Sequence, residues 1–146
     1  MPRQSSPFVG PLRLNGRPLL EQQPIIRRDL HAEWGGPWQS GISPSAKEAL
    51  IFIFTGSSGQ SLGYDDDWMN DGTYRYYGEG QTGDMRRTRG NKAIYEHAQN
   101  NDRLFLFDAE SGIEGRVLFN GEFKLHSAGE DRGPDRDGND RKRIYF

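Results

Sequence analysis

The chain contains no cysteine. That removes disulfides, zinc–thiolate centres and cysteine nucleophiles together, and it fits a reducing compartment. Apolar residues are sparse, at 33%. No apolar run approaches the ~20 residues that a membrane-spanning helix needs, and the N-terminus lacks the apolar core of a signal peptide. A soluble intracellular protein with no membrane partner is expected. A strong excess of one charge is also missing: the net charge is −2, which argues against a simple polyanion binder. At 146 residues the chain is expected to form one domain with its own core.

Aromatic residues, by contrast, reach 12%, and 19 residues are glycine. A core of Phe, Tyr and Ile, with many turns and strands, is expected. Cations gather locally despite the net charge. "MRRTRGNK" (Met85 to Lys92) has four cations and no anion, "RKR" spans Arg141 to Arg143, Arg27 and Arg28 form a third patch, and Arg3, Arg13 and Arg17 make the leading segment basic. Such patches matter more than the sum where a surface meets phosphates.

The pattern along the chain predicts about six strands and two short helices. Residues 1–23, rich in Pro, Gly, Gln and Arg, read as an extended basic lead-in to a domain over 24–146. Pro24 is expected to open a helix that carries Ile26, Leu30 and Trp34 on one face and stops at Gly35. "PWQSGISPSAK" reads as a loop. "ALIFIFTG" (Ala49 to Gly56) is the clearest buried strand. "GTYRYYG" and "RLFLFD" (Arg103 to Asp108) read as strands, and "NKAIYEHAQNN" as a short helix. "GRVLFNGEFKLHS" is expected to be two strands about an Asn120-Gly121 hairpin turn, and "PDRDGNDRKRIYF" a turn followed by a strand. These short strands predict a β-rich α+β fold, a curled, mostly antiparallel sheet or open barrel with helices at its side.

"GYDDDWMNDGTYRYYGEGQTGD" (Gly63 to Asp84) holds six carboxylates, Asp65, Asp66, Asp67, Asp71, Glu79 and Asp84, and four tyrosines, Tyr64, Tyr74, Tyr76 and Tyr77. The spacing is wrong for a calcium loop, as is that of "DRDGND" (Asp135 to Asp140). Adjacent aspartates on a strand point to opposite faces, so the three cannot all hold one ion unless the backbone turns. A planar base drawn from a duplex needs aromatic faces, a reader for its Watson–Crick edge and close backbone. The N4 amino group of cytosine suits a carboxylate acceptor. Tyrosines, an aspartate and glycines therefore make a candidate cytosine pocket, with "MRRTRGNK" and "RKR" on the backbone. The competing assignment for Tyr74 and Tyr77 is core packing. His31, His97 and His126 are scattered on separate elements, and each is more commonly a packed or surface side chain than a ligand. Asp108 with Glu122 and Lys124 echoes the layout of a metal-dependent nuclease, a short pattern that also arises by chance.

Five fragments in order, "QSGIS", "IFIFTG", "GYDDD", "YYGEGQTGDM" and "GNKAI", resemble the SRA (YDG) domain. The resemblance is greatest to the SRA-like domains found beside HNH nuclease modules in McrA-like, modification-dependent restriction endonucleases, and it runs from about Arg27 to the C-terminus. It implies a PUA-like curved open β-barrel with short flanking helices, a bacterial and cytoplasmic setting, and recognition of 5-methylcytosine or a related 5-modified cytosine in double-stranded DNA by base flipping. By position, Tyr64 and Tyr76 match the two stacking aromatics, Asp67 the carboxylate that reads the edge, and Thr55 and Gly56 the pocket backbone. Tyr77 stands where eukaryotic members have a small hydroxyl residue. Gln39 and Ser40 lie near one duplex-probing loop. Arg86, Arg87 and Arg89 fall in the second, with Lys92, Arg141 and Arg143 as further candidates for the DNA backbone. Asn91 matches a structural asparagine. The resemblance implies no catalytic residue, no metal and no cofactor in this chain. A divalent metal is expected only in an attached or partner nuclease domain, past Phe146 or on another chain. Two other functions compete: a PUA-like module for RNA or modified RNA, and a metal-dependent nuclease using Asp108, Glu122 and Lys124.

Overall fold

A computed structural model describes residues 8–56, 66–109 and 113–146. The order is β1 (Arg13–Leu14), β2 (Arg17–Pro18), β3 (Pro24–Ile26), α1 (Arg27–Trp34), β4 (Ile42–Pro44), β5 (Leu50–Thr55), β6 (Asp67–Trp68), β7 (Tyr74–Arg75), α2 (Arg89–Tyr95), β8 (Arg103–Ala109), β9 (Arg116–Phe123), β10 (Gly129–Pro134) and β11 (Asp140–Tyr145). Five strands form one sheet in the order β3-β9-β8-β5-β4, and β1-β2, β6-β7 and β10-β11 are separate hairpins. The fold is α+β and mostly sheet, as expected. Two of the three inner strands, β5 and β8, run parallel, with Phe52 beside Phe105 and Phe54 beside Phe107. An all-hairpin pattern does not anticipate that pairing. It requires a long crossover, and the segment that makes it carries β6, β7 and α2.

The apolar run in β5 is continuous because both faces of the strand are covered. Leu50, Phe52 and Phe54 face one core with Phe105 and Phe107, while Ile51 and Ile53 face a second with Leu104 and Leu106. The first core is aromatic: Phe54 stacks on Phe107 at 5.4 Å and Phe52 meets Phe107 edge-on at 5.5 Å. Leu30 of α1 and Val117 and Phe119 of β9 close it, together with Leu12 and Leu19 from the N-terminal hairpin. The lead-in, read from sequence as extended, thus carries a short hairpin whose flanks reach the core. The second core is closed by Ile42, Tyr76 and Ile94.

Two local expectations are corrected. Pro24 does not open a helix. It pairs with Leu118 in β3, an edge strand of the sheet, where a residue without an N–H is tolerated. The helix begins at Arg27 and stops at Gly35, whose φ of 83° suits glycine. Asn120-Gly121 is not a hairpin turn either. β9 runs straight through it: Leu106 pairs with Gly121 and Phe107 with Phe119, leaving Asn120 as the extra residue of a β-bulge. The positive φ that suits a tight turn, 107° at Gly121, serves the bulge equally well. The turn between β10 and β11 does form as read. The Asp135 carboxylate accepts from the N–H groups of Asp137 and Asn139 at 2.9 and 3.0 Å.

Candidate nucleic-acid interface

Past β7 the chain continues along β11. Tyr76 and Phe146 exchange backbone hydrogen bonds at 2.9 and 2.8 Å, Gly78 N–H reaches Ile144 O at 2.8 Å, and Met85 N–H reaches Lys142 O at 3.0 Å. This segment forms one wall of a cavity of about 1100 Å³. The end of β5, the start of α1, the loop before β4 and β4 itself, the turn into α2, and Ala109 and Val117 of β8 and β9 also line it.

Asp66 lies in this cavity, and its carboxylate is fixed from two sides. Tyr77 N–H donates to Oδ1 at 2.7 Å, and the Thr55 hydroxyl donates to Oδ2 at 2.8 Å. Thr55 has one proton and gives it to the carboxylate, so Thr55 Oγ1 accepts from Tyr74 OH, 2.8 Å away. Burial pushes the Tyr74 hydroxyl up to about 12, and the neighbouring carboxylates push the same way, so Tyr74 stays a donor.

The expected reader, Asp67, lies elsewhere. It is exposed on β6 opposite Arg75, outside the cavity, and its Oδ1 accepts from Trp68 N–H at 2.8 Å. Side chains alternate along a strand, so an inward Asp66 requires an outward Asp67. Of these two aspartates, Asp66 lines the cavity and Asp67 does not.

Tyr76 lines the cavity and is buried, its hydroxyl 3.1 Å from both Gly41 O and Phe54 O. Tyr77 lines it too, and its hydroxyl donates to Asp131 Oδ2 at 2.6 Å. Thr55 and Gly56 are at the wall as expected. A β-carbon on Gly56 would come within 2.6 Å of the Ala109 side chain, so the close approach requires glycine. Tyr64 lies outside the described residues.

Arg141 and Arg143, expected at the DNA backbone, are buried. Arg143 is 7% exposed, paired with Asp131 at 2.8 and 3.0 Å and stacked 4.4 Å over the Tyr77 ring. Burial raises the Asp131 carboxyl, but the bonds from Arg143 and Tyr77 outweigh it and hold the group below its usual range. Arg141 is 1% exposed, and its Nη1 donates to Gly80 O and Gly83 O at 3.0 and 2.8 Å. The two arginines brace the cavity wall from behind.

Arg86, Arg87, Arg89 and Lys92 are exposed, and Arg86 and Arg89 line the cavity. Arg87 lies 3.6 Å over the Tyr95 ring. Asn91 is buried and locks the two flanks together. Its Oδ1 accepts from Glu79 N–H at 2.7 Å, and its Nδ2 donates to Glu79 O and Arg86 O at 3.0 and 2.9 Å. Glu79, a cavity residue not singled out from sequence, accepts from Gly90 N–H at 2.7 Å. Gln39 and Ser40 line the mouth.

Arg27, visible in sequence only as part of a basic pair, forms part of the wall. Its Nη2 donates to Ser40 O and to Pro37 O, its Nε donates to His31 Nε2 at 3.0 Å, and its guanidinium lies 3.5 Å over Phe54. Burial pushes it down to about 10, still charged at neutral pH. His31 is neutral in this arrangement: Nδ1–H donates to Gly35 O at 2.9 Å while Nε2 accepts from Arg27. His97 is likewise structural, between Asp102 O and Leu125 N–H.

The nuclease layout is not assembled. Glu122 sits opposite Phe105 and takes two 2.8 Å bonds from Arg103, while Asp108 sits opposite Leu118 and accepts from Asn120. Among the described residues no three His, Asp or Glu gather where they could hold a metal ion. No helix of the described residues is long and apolar enough to cross a membrane.

Comparison with solved structures shows what this arrangement resembles. The type IV phosphorothioation-dependent restriction endonuclease ScoMcrA matches with a TM-score of 0.69 at 24% identity, over 89% of this chain and 27% of that one. The sulfur-binding and SRA domains of ScoMcrA, complexed with phosphorothioated DNA, match with a TM-score of 0.68 at 23% identity, over 91% of this chain and 41% of that one. The SUVH5 SRA domain, complexed with methylated CHH DNA, matches at 0.61 and 19% identity, over 91% and 89%. The chain therefore spans well under half the length of either ScoMcrA structure. Curated protein sequences give no match. Residues 22–146 match the family described as ScoMcrA-like, SRA domain. With that match over most of its length and the fold of the SRA structures around its cavity, the chain belongs to the ScoMcrA-like SRA domain family.

Proposed function

We propose that this domain binds double-stranded DNA carrying a 5-modified cytosine and holds the extruded base in the Tyr76 cavity, with Asp66 reading its edge. The observation that carries the reading is the pre-set carboxylate. Asp66 accepts from Thr55 and from Tyr77 N–H, bonds that set its carboxylate at the cavity wall, and a carboxylate accepts only. An acceptor of this kind suits the N4 amino donor of cytosine. Tyr76 contributes an aromatic wall for the ring, and Tyr64 is proposed as the opposite face. Extrusion costs a few kcal/mol. Stacking, worth roughly 1–3 kcal/mol per base, and the charged hydrogen bond together offset it.

Arg86, Arg89, Arg87 and Lys92 form the exposed cationic rim that would follow the phosphates, with Gln39 and Ser40 at the mouth. Affinity should fall steeply with salt. The complexes of ScoMcrA with phosphorothioated DNA and of SUVH5 with methylated DNA support a DNA ligand for this fold. In this reading the domain is the recognition part of a modification-dependent restriction endonuclease. A divalent metal enters only through a nuclease carried elsewhere. The test is a titration against duplexes differing only at C5 of one cytosine. Equal affinity for all of them refutes the reading.

A further inference from the structure

A second cavity, of about 390 Å³, shares Tyr76 with the larger one as a lining residue. Ile53, Leu104 and Leu106 of the second core form its apolar floor. Tyr74, Phe123, Leu125 and Phe146 are half-buried, pack against that core and wall the space. Exposed residues of the β6–β7 turn and of the stretch after β9 line its mouth, so it opens at the surface.

Contacts outside the cavity hold its walls. Trp68 packs on Tyr74 at 5.1 Å and on Phe123 at 5.9 Å. Phe146 meets Tyr95 edge-on at 5.0 Å and is joined to Tyr76 by backbone hydrogen bonds. Leu125 N–H donates to His97 Nε2 at 3.1 Å. The Tyr74 hydroxyl is already used on Thr55. What remains facing the space from these walls is ring and aliphatic surface.

The mouth carries more positive than negative charge. Arg75 lines it and lies 4.1 Å over the Tyr145 ring. Lys124 lines it, is exposed and makes no ion pair with the described residues. Asp71 is the one carboxylate side chain among the lining residues, and its Oδ1 accepts both the N–H and the hydroxyl of Thr73, at 2.9 and 2.6 Å. A concave, mostly apolar space of a few hundred Å³ with a few placed polar groups is the usual form of a small-molecule site. Aromatic walls favour a ring as the occupant, packed edge-on or offset. A lysine keeps its charged head in water while its stem lies on apolar surface, so Lys124 can meet a charge at the mouth.

We infer that this cavity binds a small planar aromatic anion of one or two rings, with the rings against the aromatic walls and the negative group at Lys124 and Arg75. The site does not depend on the DNA reading above. An occupant would touch Tyr76, a residue that also lines the larger cavity.

The experiment titrates naphthoate into the full chain and follows the methyl signals of its isoleucines and leucines by NMR. Saturable, one-site shifts are expected at Ile53, Leu104, Leu106 and Leu125, with none at Leu12, Leu19 and Leu30 of the first core. Lys124→Ala should bind naphthoate roughly two- to fivefold more weakly, the equivalent of one exposed ion pair. Its spectrum without ligand should match wild type outside the cavity mouth. Naphthamide, the uncharged analogue, should bind wild type more weakly than naphthoate and should not distinguish wild type from Lys124→Ala. Shifts that rise without saturating, or that spread over both cores, overturn the site. Equal affinity for the acid and the amide, or a Lys124→Ala variant that binds naphthoate like wild type, overturns the assignment of an anion.

Discussion

The Thr55 hydroxyl donates to Asp66 Oδ2 at 2.8 Å, and that bond sets the direction of the next one, between Thr55 and Tyr74. Thr55 has no second proton, so Tyr74 must donate to it, and Asp66 is left as a pure acceptor facing the cavity.

Thr55→Val keeps the shape and removes the donor. Asp66 should loosen and Tyr74 OH should lose its acceptor. A hydrogen bond to a charged group contributes about 1.5–3 kcal/mol, so affinity for the modified duplex should drop by roughly tenfold or more. Isothermal titration of the variant beside wild type checks this.

Asp66→Asn and Asp67→Asn separate two adjacent carboxylates. The first should remove discrimination between modified and unmodified duplexes. The second, on the exposed side of β6, should leave it within about twofold, because surface changes away from a site cost little. Competition binding with the two duplexes decides between them.

Arginines of one sequence patch should behave differently from those of the other. Arg86→Ala and Arg89→Ala should weaken binding to all duplexes and lower the salt slope by about one each. Arg141→Ala should leave the slope unchanged and lower the melting temperature, since the carbonyls of Gly80 and Gly83 lose their donor. A salt titration beside a thermal melt shows which class each variant joins.

Stability should depend on pH through His31. Burial holds its folded pKa below the ordinary 6.5, and Arg27 beside it acts in the same direction, although the Gly35 carbonyl opposes both. A group with a depressed folded pKa contributes its full stability above the unfolded value. That contribution is lost as pH falls through about 6.5 towards the folded pKa. Protonation would also remove the acceptor for Arg27 Nε. The melting temperature should fall between pH 7.5 and 5, and His31→Gln should flatten that fall.

Much of the fold was legible because burial leaves a periodic trace. "ALIFIFTG" reads as a buried strand because Phe52 and Ile53 each face a core. Gly35 ends α1 because the turn there needs a positive φ. What was not legible depended on partners distant in sequence. Asn120-Gly121 suits a hairpin or a bulge, and only pairing with β8 selects the bulge. Arg141 and Arg143 looked like a phosphate-binding patch beside Lys142. They share one face of β11, however, and that face is turned inward onto Asp131 and the carbonyls of Gly80 and Gly83. Asp66 and Asp67 look alike in sequence, but Asp66 lines the cavity while Asp67 pairs opposite Arg75, a difference set by the pairing of β6 with β7.

The central claim is that a carboxylate held in a tyrosine-lined cavity reads an extruded cytosine. It is tested most directly by titrating wild type and Asp66→Asn, at one salt concentration, against duplexes that differ only at C5 of one cytosine. Wild type should prefer a 5-modified duplex, and Asp66→Asn should bind all of them alike. Wild-type binding that ignores C5, or an Asp66→Asn variant that keeps the preference, would contradict it.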